Sequence, residues 1–129
     1  MVNKIYAEEI ISILDTGRRL NMIEMKDALQ TAPTVYTLLM ENDRVRVLDV
    51  RVKPGEKVAM HAHPDHVAYV LGGQRLKFTS KDGKSKEYEL KAGQVLWIEA
   101  GPHSVENISK VEAHVIMVEL KPLIRPEIL

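Results

Sequence analysis

An all-β barrel is the fold class that the sequence predicts, on three observations. After Pro33 the chain becomes a series of short runs rich in Val, Leu, Tyr and Thr, which suit a pleated, half-buried surface. Turn signals (Pro54-Gly55, Gly72-Gly73, Asp82-Gly83, Ala92-Gly93 and Gly101-Pro102) separate these runs at roughly ten-residue intervals. No helical period follows Pro33, so nothing supplies the crossover helices that a parallel sheet needs.

At 129 residues the chain has the length of one domain, enough to bury roughly two thirds of its unfolded surface. It divides by texture into an N-terminal arm, 1–33, and a barrel, 34–129. Its 18 basic and 18 acidic residues balance, so no global field draws it to nucleic acid or to an anionic membrane. Cysteine is absent, which removes disulfides, thiolate ligands and cysteine nucleophiles together and leaves imidazole and carboxylate as the strong metal ligands. The N-terminus carries Glu8 and Glu9 where a signal peptide needs an apolar run, and no segment approaches a membrane span. A cytoplasmic protein is the expectation.

In chain order, the first element is a short helix over 7–16, with Glu8 and Glu9 in its first turn, Ile10, Ile11, Ile13 and Leu14 at helical spacing, and Gly17 beyond its end. The segment 18–33 has weaker patterning and reads as mostly irregular. Strands are expected over 35–40 and 45–52. In the second, the apolar positions change phase from Val45 and Val47 to Leu48, Val50 and Val52, which predicts a bulge or a barrel corner near Leu48 and Asp49. Strands over 58–63 and 66–71 follow, and Gly72-Gly73 reads as a tight hairpin. In the latter strand His66, Ala68 and Val70 share one face, while Val67, Tyr69 and Leu71 share the other. The stretch 93–107 is a further strand bounded by glycine turns. The last strand, 111–120, is apolar on both faces and so predicts cover from the barrel interior on one side and from the arm or a partner subunit on the other. A homodimer is therefore expected. The tail, with two prolines, should run over the surface.

Three of the five histidines fall in a single stretch, from Gly55 to Gly73. Residues two apart on a strand face the same way, about 6.5 to 7 Å from each other, so His61 and His63 can aim two imidazoles at one point. His103 lies forty residues beyond His63, where an antiparallel fold can bring it across to that pair. The spacing predicts a metal site inside the barrel. His114, in an apolar strand away from the others, reads as a hydrogen-bonded strand residue.

These two stretches resemble the two signatures of the cupin superfamily. In the first, Gly55, five intervening residues and His61-Ala-His63 follow the pattern; where it asks for glutamate, His66 stands, with six residues between it and Gly73. In the second, Gly93, Gly101, His103 and Asn107 stand in order, with Glu99 at the place of a proline. The resemblance implies a jelly-roll, or double-stranded β-helix, barrel. It also implies one divalent transition-metal ion per chain, held by His61, His63 and His103 with His66 as a fourth ligand in the glutamate's place. Imidazole suits Fe, Ni, Mn, Cu and Zn alike, and the spacing does not choose among them. Asp65 belongs to a Pro64-Asp65 turn, and Glu99 and Glu106 read as solvated strand residues or as support for the ligands. All-histidine sites of this family suggest a metal-dependent dioxygenase acting on a small enolisable or aromatic oxygen compound. The alternative is a non-catalytic module that binds a small ligand or senses a metal. No catalytic residue is assigned in either case.

Overall fold

The valine- and leucine-rich runs after Pro33 fold as strands, and charged or glycine-bearing turns separate them. The computed structural model describes residues 27–122, within which there are one short helix and nine strands. The expected helix over 7–16 and the tail beyond residue 122 lie outside the described residues. Helix α1 is Ala28–Thr31, a turn capped by Asp27, whose carboxylate accepts from the Leu29 amide at 3.2 Å. The sequence reads mostly irregular over 18–33, because a four-residue turn is too short to show a period.

The strands are β1 (Tyr36–Glu41), β2 (Val45–Val52), β3 (Lys57–His63), β4 (His66–Gly72), β5 (Arg75–Ser80), β6 (Ser85–Glu89), β7 (Val95–Ile98), β8 (Gly101–Asn107) and β9 (Ala113–Leu120). They form two antiparallel sheets, of order β1-β2-β9-β4-β7 and β3-β8-β5-β6. Leu48, Val52 and Val70 from the first sheet and Val58, Leu76 and Val105 from the second belong to one buried core, as a jelly-roll barrel requires.

Several expectations change at the level of pairing. The stretch 93–107 is two strands, β7 and β8, in different sheets. Gly72-Gly73 is a crossover between the sheets, since β4 and β5 do not pair. A hairpin does form at Asp82-Gly83, between β5 and β6, with Gly83 at φ +87. The bulge predicted near Leu48 and Asp49 is on the partner strand: β2 pairs with β9 without interruption, and the register shifts in β1 between Leu38 and Met40. The phase change read in β2 is not there either. Arg46, Leu48, Val50 and Val52 all point inward, so the buried phase runs unbroken through a charged residue.

The inner face of the first sheet changes character along its length. The cross-strand row Leu48–Met117–Ala68–Leu96 is apolar, whereas the adjacent row, Arg46–Glu119–His66–Ile98, puts two charges and an imidazole in the interior. The second sheet contributes its histidines beside that polar row.

Candidate metal centre

His61 and His63 come from β3, and a bulge aims them inward. Val58 pairs with Val105 and His61 with His103, so three steps on β3 match two on β8. Val58 therefore faces the core even though it lies an odd number of residues before His61. The bulge also turns the Ala59 carbonyl onto the His61 ring, where it accepts from Nδ1 at 2.7 Å. The direct register of His61 with His103 brings their rings to 4.9 Å between centroids. One nitrogen from each of His61, His63 and His103 lies within 4.8 Å of the other two. His66, from β4 on the facing sheet, is buried with its ring 5.0 Å from that of His63.

Hydrogen bonds set the tautomers of three of these rings. Ala59 O and Pro64 O can only accept, so His61 Nδ1 (2.7 Å) and His66 Nδ1 (2.8 Å) are the protonated nitrogens. The Glu119 carboxylate accepts from His63 Nδ1 at 2.7 Å and sets the same state there. Each ring thus presents an Nε2 lone pair. Those of His61 and His63 are 3.0 Å apart, and that of His66 is buried with no hydrogen-bond partner among the described residues. Two facing lone pairs and a third without a donor among the described residues form an arrangement that one cation can satisfy together. The donor set fits a divalent transition ion.

Electrostatics keep these imidazoles neutral. Burial lowers His61 and His66 below the ordinary imidazole range, and burial together with neighbouring imidazoles lowers His63 well below it. His103 is lowered to about 2 by the same two causes. Beneath the cluster, Glu119 accepts from Arg46 Nε at 2.7 Å with its other oxygen, and Arg46 in turn is forked onto the carboxylate of Asp27. Burial raises the Glu119 carboxyl against the opposing pull of Arg46. From β1 of the same sheet, the Tyr36 hydroxyl donates to His61 Nε2 at 3.0 Å. Burial raises the Tyr36 phenol, with Glu119 and Asp27 adding to the effect, so the group stays protonated.

The structure thus groups His61, His63 and His103 and stands His66 beside them. Asp65 is exposed and accepts from the Ala100 amide at 2.7 Å, as a turn residue does. Glu99 is exposed on the loop between β7 and β8. His114 bonds Asp49 at 2.7 Å on the outer face. Four residues of the site went unrecognised in the sequence: Tyr36, Arg46, Glu119 and Asp27. The only available signal was the even-position phase of β2 and the odd-position phase of β9, which put Arg46 and Glu119 in line with core residues.

A cleft of about 480 Å³ opens between β5, β6 and β8 and is lined by Phe78, Lys86, Tyr88, Gly101 and His103. It joins the surface to the His103 side of the cluster. The Phe78 ring packs 5.2 Å from that of His103 and makes the approach partly apolar.

The family model described as "Cupin domain" matches residues 48–119. Among solved structures, a cupin domain from Bordetella pertussis Tohama I is 26% identical, with a TM-score of 0.63 over 77% of this chain and 98% of that one. A cupin superfamily protein from Desulfitobacterium hafniense DCB-2 is 20% identical, with a TM-score of 0.52 over 68% and 77%. A predicted oxalate decarboxylase from Thermotoga maritima is 22% identical, with a TM-score of 0.52 over 67% and 79%, a likeness of fold alone. No curated protein sequence matches the chain.

Proposed function

The chain belongs to the cupin family, and we propose that its histidine cluster holds one divalent transition-metal ion at which a small oxygen-bearing molecule binds. The observation that carries this reading is the set of buried Nε2 lone pairs at His61, His63 and His66, each fixed by an acceptor at the opposite ring nitrogen. His61, His63 and His103 are the primary ligands in this proposal, and His66 is the fourth. An ion held there would supply Lewis acidity toward substrate oxygens and redox access to dioxygen. With four neutral ligands no direct ligand would cancel its charge, which favours enolate and catecholate oxygens over neutral ones. The reaction class we propose is accordingly dioxygenation of a small enolisable or aromatic oxygen compound. In this scheme the chain's own residues bind and orient: Glu119 holds the His63 ring, the Ala59 and Pro64 carbonyls hold His61 and His66, and Phe78 limits water at the mouth.

The test is metal content. Elemental analysis of the purified protein should give about one transition ion per chain, and a His61→Ala, His63→Ala double variant should lose it while keeping its β-sheet circular dichroism. Wild-type occupancy in the double variant would refute the site. If the metal is present but no oxygen is consumed with diketone, flavonol or catechol substrates, the non-catalytic binding or sensing reading replaces the enzymatic one.

We further propose that two copies pair through the outer face of the first sheet. An apolar row, Met40–Val47–Val118–Val67–Trp97, crosses all five strands there, and its end residues Met40 and Trp97 are 48% and 55% exposed.

A further inference from the structure

We infer that Tyr36 is a binding residue of this site, the hydrogen-bond donor that fixes a small anion beside the histidine cluster; the inference rests on the metal reading above. Tyr36 stands at the start of β1, its ring 5.4 Å from both His61 and His63 and almost wholly buried. Its hydroxyl donates to His61 Nε2, the lone pair that an ion would take. Once that lone pair is engaged, the hydroxyl has lost its acceptor. The other acceptors of the site already hold close donors: Glu119 receives Arg46 and His63, and Ala59 O receives His61, each at 2.7 Å. A buried donor left without a partner is unfavourable, so the O–H turns to the next acceptor that enters the site, and an anion is the strongest. Tyr36 thus selects for a ligand with an anionic oxygen or nitrogen atom next to His61. Nothing in the sequence of β1 pointed to this role, because a buried tyrosine in a strand reads as core.

The experiment uses cobalt(II) as the metal and azide as the anion, on the full chain and on Tyr36→Phe, followed by the visible spectrum. Tyr36→Phe should take up cobalt within about three-fold of wild type, since it loses both a competitor for His61 and a donor, while its azide affinity falls roughly ten-fold. A purely structural role predicts that cobalt and azide affinity fall together, and that result would overturn the inference. So would cobalt uptake with azide affinity unchanged. Infrared spectra of azide on the wild-type protein add a reading that needs no variant: the azide stretch should shift between H2O and D2O, and no shift would overturn the proposal. If the wild-type chain takes up no cobalt, the metal reading itself fails; if it does so with azide indifferent to Tyr36, only this inference fails.

Discussion

Glu119 is a carboxylate sealed inside a barrel, a placement that Arg46 at one oxygen and His63 at the other help to make tolerable. Its position directly opposite both Arg46 and His66 ties the two sides of the sheet to the cluster. Glu119→Gln keeps the size but offers one acceptor instead of two, so the His63 ring loses its orientation or Arg46 loses its partner. We expect the cobalt affinity to fall by about ten- to a hundred-fold, as when a ligand's supporting hydrogen bond is removed. Titration of the variant with cobalt checks this; affinity within about two-fold of wild type would mean that Glu119 serves the fold alone. The individual histidines were legible at this scale, since period-two spacing is a local property. Arg46 and Glu119 were not. A charge on a strand reads as solvent-facing until the oppositely charged residue that makes burial possible is known, and that residue is 73 positions away.

At the scale of elements, the histidines depend on irregularities that no periodicity rule contains. The β3 bulge lets Val58 serve the core while His61 and His63 serve the cluster. The crossover at Gly72-Gly73 carries the chain from the sheet that bears His66 to the sheet that bears His61, His63 and His103. Gly73 sits at φ +138, and a Cβ there would stand 2.9 Å from Leu90 Cδ1 and 3.3 Å from the Ala113 backbone. Gly73→Ala should therefore destabilise the protein by about 1 to 3 kcal/mol through strain and crowding together. Urea unfolding measures it, and an unchanged midpoint would show that the crossover relaxes freely. The glycine pair was visible in the sequence as a turn. Whether a turn joins neighbouring strands or two sheets depends on pairing, which its residues do not encode.

For the whole molecule, the two faces of the first sheet have different tasks: the inner one holds the polar row beneath the cluster, and the outer one presents the apolar row from Met40 to Trp97. In the proposed dimer this outer face is buried. A stable interface needs about 800 Å² from each partner, and a charge at its centre opposes association. Trp97→Asp should therefore shift light-scattering mass from two chains toward one at micromolar concentration, without loss of metal. A wild-type mass near one chain would refute the dimer outright. The paired expectation from the sequence, that the last strand is apolar on both faces, holds for β9 apart from its ends: Ala113, Val115 and Met117 face inward, Ile116 and Val118 outward, and Glu119 and His114 supply the polar exceptions.

By itself the sequence determined the all-β class, the family, and the inward-pointing histidine pair on β3, because residue propensity, turn chemistry and two-residue alternation act over short stretches of chain. Only the tertiary structure decided which strands pair, that the phase of β2 continues through Arg46, and that Tyr36 and Glu119, on β1 and β9 of one sheet, meet the histidines of the other. These are contacts between residues 25 and 56 positions apart, set by register and by the mutual satisfaction of buried charges. Neither quantity belongs to any one segment.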